Sequence, residues 1–415
     1  MKFELRHVIY ALSDALDLVG IDDVAHGKRV GIMAAECGKI MRLTAAETTY
    51  LFDLGLLHDI GVSSTETHRH LVSEFDWESS QDHAVKGHDL LLGFSPLATM
   101  ALPVLYHHTH WDRLLELKAA GLDARAAEQA NLIYLVDRVD ALAAPYYGGS
   151  KLFDHVAEIR DRIASNRNSL FASKLVDVFL EASTAEAFWL LLEPRAIQGY
   201  LMDMLAHGHG QHTSLSALKQ LASVFSRIVD AKSPFTGEHS QGVARLARWL
   251  GQRLGLGADR LDQLEIAGLL HDLGKLRVPD DILDKPGQLD DHERRVINAH
   301  SFETFQILRN IRGFEEIALW AAYHHEDVGG TGYPFRIHGE NLPLEARILR
   351  VADIFQAMAQ NRPYRTGLPP DQVQAYLESL AQDGHLDAEV VAIATSDMDE
   401  AMAAALPGKP TTLGR

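Results

Sequence analysis

Apolar residues recur at three- and four-residue steps through much of this chain of 415 residues. Val243, Leu246, Ala247, Leu250 and Leu254 form one such stripe, with Arg245, Arg248 and Arg253 on other faces. That pattern belongs to a helix that buries one side. Residues 8–18, 131–142, 170–179 and 261–270 read the same way, and period-two alternation is scarce. The chain is therefore expected to be all-α. Gly208 and Gly210 break the pattern after Leu205, and Ser214 offers an N-cap for the helix that follows. A chain this long exceeds what one core usually supports. Two domains are expected, 1–205 and 206–415. His207, His209 and His212 lie in the joint and read as a solvated linker, because the glycines between them hold no fixed geometry.

The helices carry a repeated set of polar residues. His26, His58-Asp59, His83, His107-His108 and Asp137 occur in the first half. His239, His271-Asp272, His300, His324-His325 and Asp353 occur in the same order in the second. His26 to His58 and His239 to His271 are both 32 positions, and His83 to His107 and His300 to His324 are both 24. Asp17 and Asp230 each precede the first histidine by nine. Imidazole and carboxylate together suit Fe, Mn, Zn or Ni, and a carboxylate can bridge two ions. In the second half His239, His271, Asp272 and Asp353 can hold one ion, while Asp272 reaches a second held by His300, His324 and His325. Two such ions, about 3.5–4 Å apart, activate water and clamp phosphoryl oxygens.

Composition narrows the chemistry. The single cysteine, Cys37, excludes a disulfide framework and thiolate-rich zinc sites. The formal charge of −18 repels duplex nucleic acid and anionic membrane. A small anionic substrate then needs a local cationic site, which metal ions would supply. No apolar run is long enough to span a membrane, and the first residues do not read as a signal peptide, so a cytoplasmic location is expected.

The second half resembles the HD-GYP phosphodiesterases, a branch of the HD superfamily. His271-Asp272-Leu273-Gly274-Lys275 is similar to the family's HDxGK signature, and Lys285-Pro286-Gly287 to the segment after it. His324-His325-Glu326 and Gly332-Tyr333-Pro334 are similar to its HHE and GYP signatures, and Arg362-Pro363-Tyr364-Arg365 to its distal arginine motif. The resemblance runs from Leu215 to about Leu380. It implies tandem HD-type helical domains and hydrolysis of a cyclic dinucleotide, cyclic di-GMP or 3′,3′-cyclic GMP-AMP. It implies a centre of two or three divalent ions, Fe, Mn or similar, on His239, His271, Asp272, His300, His324, His325 and Asp353. Lys275 matches the lysine on the scissile phosphate, and Tyr333, Arg362 and Arg365 match substrate-side positions. Phe235 stands where members with three metals carry a glutamate, so two ions are expected. Gly329 and Gln356 also depart from the pattern, each standing where an aspartate is common.

The first half keeps the seven ligand types and lacks the rest. Val62 replaces the lysine, His107-His108 is followed by no Gly-Tyr-Pro, and Ala144-Pro145-Tyr146-Tyr147 has no arginine. It reads as a plain HD domain that holds a further metal and acts in structure or regulation. A second hydrolase, or a polar cluster without metal, are the other readings. For the whole chain, another HD-superfamily nucleotide phosphohydrolase and a sensor that binds without turnover stand as alternatives. A homodimer is left open.

Overall fold

The computed structural model describes residues 3–19, 25–73, 75, 81–147, 151–207, 212–232, 238–361 and 366–406. The architecture is all-α. The strands among the described residues are two residues each, with Phe3 opposite Thr213 and Glu4 opposite His212 in antiparallel register. The chain forms two compact units, Leu16–Gln211 and Met1–Ala15 with His212–Arg415. The division thus falls a few residues after the expected 205/206, and the first 15 residues group with the second half. A two-residue pairing leaves no alternation in sequence to announce it. Gly208, His209 and Gly210 lie outside the described residues. Ser214 caps the helix Leu215–Lys232, its Oγ accepting from Ala217 N–H at 3.2 Å. Among the described residues no helix is long and apolar enough to cross a membrane.

Each unit is built on a pair of packed helices with a third against the first. In one, His26–Ile40 packs on Ala45–Leu57 and against Ala124–Ala143. In the other, His239–Arg253 packs on Ala258–Leu270 and against Leu344–Ala359. The aspartates nine residues upstream fasten the first helix of each pair. Asp17 accepts from the Gly27 N–H at 3.2 Å and pairs with Lys28, and Asp230 accepts from the Ser240 N–H at 3.3 Å and its hydroxyl at 2.8 Å. A carboxylate there satisfies amides that the first turn leaves without partners.

The helix over 261–270 stops at Leu270, and Gly274 lies inside a short 3₁₀ turn, Leu273–Arg277. Its role is steric: a Cβ on Gly274 would overlap the carbonyl of His300, and one on Gly61 would overlap the carbonyl of His83. The glycine of each His-Asp-x-Gly run lets the helix that carries the third histidine dock directly on the turn. Thr304 secures this contact in the second unit, donating to the His271 carbonyl at 3.1 Å and accepting from Gly274 N–H at 2.9 Å.

The helix expected over 170–179 begins at Ser173. Asn131, fully buried, holds the preceding turn by donating to the Leu170 carbonyl and accepting from Ala172 N–H, both at 2.8 Å. Asn131→Ala strips the Ala172 N–H of its acceptor. It is expected to lower unfolding free energy by roughly 2 kcal/mol in a denaturant titration.

Candidate metal centre and active site

The second-half ligands are placed almost entirely at helix ends. His239 opens its helix, His271 ends the next, and His300 opens Ala299's successor turn in His300–Leu308. His324 and His325 follow the helix Glu315–Ala322. Asp353 alone projects from mid-helix, in Leu344–Ala359. The structure brings the seven together. Asp272 lies centrally, with Oδ2 3.4 Å from His271 Nε2 and Oδ1 3.4 and 3.8 Å from His300 and His324 Nε2. His239 Nε2 is 3.2 Å from Asp353 Oδ1. Donor atoms of His239, His271 and Asp353 lie within 4.8 Å of one another, as do those of His300, His324 and His325.

The hydrogen bonds fix which nitrogen is available. Nδ1 of His271, His300 and His324 lies 2.7, 2.7 and 2.6 Å from the carbonyl three residues earlier, of Gly268, Ile297 and Ala321. A carbonyl only accepts, so each Nδ1 carries the proton and each Nε2 a lone pair. The Nε2 atoms of His300 and His324 nevertheless face each other at 3.2 Å. His271 Nε2 and Asp272 Oδ1 are buried with no hydrogen-bond partner. Lone pairs and carboxylate oxygens converging without donors are costly in a dry interior. A cation between them removes the cost, so the donor set fits divalent metal.

Protonation agrees. Burial pushes His300 down to about 4 and His324 and His325 well below the usual imidazole range. They are neutral, and so able to ligate, at neutral pH. Burial raises the Asp272 carboxyl, but His271 and Lys275 outweigh it and hold it well below the carboxylate range. Lys275 Nζ donates to Asp272 Oδ2 at 2.5 Å, with its side chain 24% exposed. Burial disfavours the ammonium, yet Asp272 beside it raises its affinity for the proton overall. Lys275 is thus a charged group at the mouth of the cluster.

The loop after His-His-Glu is anchored from beneath. The fully buried Glu326 carboxylate accepts from the N–H groups of Phe335 and Ile337 at 2.7 and 3.0 Å. Asp327 accepts from Thr331 N–H and Oγ1 at 2.7 and 2.6 Å. It supplies an aspartate to the loop two positions before Gly329, the position where the family pattern commonly has one. Gly332 passes so close to Glu326 that a Cβ would sit 2.5 Å from its Cα. These contacts lay the Tyr333 ring over His325, with centroids 4.7 Å apart and planes 27° apart. Arg362, Arg365 and Phe235 lie outside the described residues.

Two residues were not anticipated. Arg350 stands one helical turn before Asp353. Its Nε donates to the His385 carbonyl at 3.1 Å, and its charge acts on Asp353 and Tyr333. Its three-residue spacing from Asp353 was the available signal. Gln356, noted only as a departure, accepts from His239 Nδ1 through Oε1 at 2.5 Å. An amide oxygen performs the orienting role without adding charge.

The first-half set also comes together. His83 and His107 Nε2 lie 3.2 and 3.5 Å from Asp59 Oδ1, His58 Nε2 3.4 Å from Asp59 Oδ2, and His26 Nε2 3.4 Å from Asp137 Oδ1. His108 Nδ1 is 4.0 Å from Asp137 Oδ2.

The chain resembles known proteins. An HD-domain family profile matches residues 223–390. Over 98% of its length the chain is 34% identical to the 3′3′-cGAMP-specific phosphodiesterase 1 of Vibrio cholerae, covering 95% of that protein. It is 35% identical to the cyclic di-GMP phosphodiesterase response regulator RpfG of Xanthomonas campestris pv. campestris, over 40% of this chain and 44% of that one. A crystal structure of a V. cholerae cyclic GMP-AMP-specific phosphodiesterase, V-cGAP3, shares the fold, with a TM-score of 0.62 at 24% identity over 97% of this chain and 98% of that one. The chain belongs to the HD-GYP phosphodiesterases of the HD superfamily.

Because Gln356 fixes the tautomer and pose of His239, Gln356→Ala is expected to weaken Mn²⁺ binding roughly tenfold or more in a calorimetric titration, the scale of outer-shell effects. Unchanged affinity would show that the amide does not orient the ligand.

Proposed function

We propose that the C-terminal domain hydrolyses a 3′–5′ phosphodiester bond of a cyclic dinucleotide, opening the ring to a linear dinucleotide. The observation that carries this reading is Lys275, a partly exposed ammonium held on the central carboxylate of a cluster rich in acceptors. Such a place attracts an anionic phosphoryl group on a protein that is otherwise strongly acidic. Two divalent ions, Fe, Mn or similar, would be held by His239, His271, Asp272 and Asp353 on one side and Asp272, His300, His324 and His325 on the other. When bound they would supply Lewis-acid activation of water and of the phosphoryl oxygens.

The chain's own residues do the rest. Asp272 serves both sides of the cluster through its two oxygens. Lys275 passes from Asp272 Oδ2 to a phosphoryl oxygen, where a fixed cation offsets the charge that develops as water adds to phosphorus. The bond to the ribose 3′ oxygen breaks, and that oxygen takes a proton. Tyr333, stacked on His325, closes one flank and presents a ring to the substrate. Arg350 adds positive charge behind Asp353. Arg362 and Arg365 are assigned the second phosphate, which a guanidinium grips as a fork.

The preferred substrate is 3′,3′-cyclic GMP-AMP. The support is the similarity along the full chain to a relative named for that dinucleotide, against a partial match to one named for cyclic di-GMP. The domain 1–205 is assigned a structural or regulatory role, because Val62 provides no cation where Lys275 stands in the other half.

With Mn²⁺ or Fe²⁺ supplied under reducing conditions, the protein is expected to convert 3′,3′-cyclic GMP-AMP to a linear dinucleotide faster than it converts cyclic di-GMP. Asp272→Ala and an excess of chelator should each abolish product. Lys275→Met should lower kcat roughly 10²- to 10³-fold, as loss of a transition-state charge partner does, while the metal content stays intact. Binding of both dinucleotides without linear product would overturn the reading.

A further inference from the structure

The two clusters have the same ligands but differ in what surrounds them. In the second half, His325 and Asp353 are partly exposed and Lys275 more so. In the first half all seven, His26, His58, Asp59, His83, His107, His108 and Asp137, are buried. His108 borders a cleft of about 570 Å³, but its Nε2 is itself buried.

The first cluster is as short of donors as the second. Nδ1 of His58 and His107 lies 2.7 and 2.6 Å from the carbonyls of Gly55 and Val104, which leaves lone pairs on both Nε2 atoms. The Nε2 atoms of His83 and His107 face each other at 3.2 Å. Nε2 of His26, His58 and His108 and Oδ1 of Asp59 are buried without hydrogen-bond partners. Asp59, His83, His107 and His108 bring donor atoms within 4.8 Å of one another. These atoms need a cation as much as those of the second half do.

The surroundings, however, close the first cluster. Tyr134 stands where the second half has Arg350, one turn before the ligand aspartate. It is 1% exposed, packs edge-on to His108 at 5.7 Å, and is covered by the parallel ring of His110 at 6.1 Å. Arg138 stands where the second half has the apolar Ile354. Its guanidinium, 1% exposed, donates to Asp137 Oδ2 and to the Leu71 carbonyl, both at 2.7 Å. Among the described residues each cluster has a cationic side chain on a ligand carboxylate. Lys275 sits on a flexible stem with its side chain 24% exposed, whereas Arg138 is 1% exposed. The outer shell is also stiffer: Asp140 accepts from His26 Nδ1 at 2.8 Å and is itself clamped by Arg29 at 2.6 and 2.9 Å and by the Tyr147 hydroxyl at 2.6 Å.

We propose that the first-half cluster is a second metal centre that is sealed: it takes divalent transition-metal ions, retains them, and serves the stability of its domain with no turnover. The contrast rests on the reading of the second-half cluster as the hydrolytic centre, but the metal content of the first half can be measured independently of it. A cation satisfies a group of imidazoles and carboxylates so short of donors, and among the described residues Tyr134 on His108 and Arg138 on Asp137 obstruct the approach of a phosphodiester to it.

The test uses full-length protein loaded with Mn²⁺ and then held in excess EDTA, with metal per chain followed by mass spectrometry and hydrolysis assayed in parallel. Metal is expected to leave in two phases, the slow one at least roughly tenfold slower. Activity should vanish with the fast phase. A His300→Ala/His324→Ala variant should keep the slow phase. Arg138→Met, which unclamps Asp137, should bring that phase roughly tenfold closer to the fast one. A single phase in the wild-type protein, or a double variant that folds and holds no metal, would overturn the proposal. Absence of hydrolysis in the loaded wild-type protein would count against the reading of the second half alone, since the metal count in the double variant decides the first.

Discussion

The bond from a histidine Nδ1 to the carbonyl three residues behind it sets the terms for the rest of this molecule. It recurs at His58, His107, His271, His300 and His324. Each bond spends the only proton of a neutral imidazole on the backbone and turns the remaining lone pair inward. With Asp59 or Asp272 at the centre, each cluster becomes a set of acceptors with few donors among them. Helix ends make this possible, because a terminal carbonyl has no partner further along the helix and is free to take the proton. The placement of the ligands at helix starts and stops is therefore a consequence of hydrogen-bond accounting as much as of geometry.

Much of this was legible in the chain. The three- and four-residue periodicity marked the helices, and the repeated His-Asp spacing marked which residues would meet. Lys275 and the loop through Tyr333 could be named because their neighbours form recognisable runs. What was not legible depends on contacts across long separations. Gln356 and His239 are 117 positions apart, and Arg138 meets the Leu71 carbonyl from 67 away. Nothing beside Gly274 in the chain marks it as a point of contact. The carbonyl of His300 that forbids a side chain there belongs to a different helix. Arg350 and Tyr134 were hidden for the same reason, since only the helix they share with the ligand aspartate shows which face they occupy.

The duplicated ligands are the same in both units, and their neighbours differ. Neither unit has lost a ligand. Beyond Lys275, the Gly-Tyr-Pro loop and the arginine motif, the difference lies at three positions on equivalent helices: Tyr134, Arg138 and Asp140 in one, Arg350, Ile354 and Gln356 in the other. An aromatic ring for a guanidinium, a buried guanidinium for an aliphatic group, and a clamped carboxylate for an amide all act in one direction. Each reduces access or mobility around the same kind of metal cradle. Ligand inventory alone thus says little about whether a site of this type turns over substrate.

The pairing of Phe3–Glu4 with His212–Thr213 gives the chain a nested order. The unit that carries Lys275 claims residues from both ends of the sequence, and the other unit is threaded between them. During synthesis Phe3–Glu4 are made long before His212–Thr213, with the other unit lying between them in sequence. A cut placed at the apparent joint between the halves would therefore not separate two whole domains. It would release one intact body and leave the other without its opening helix.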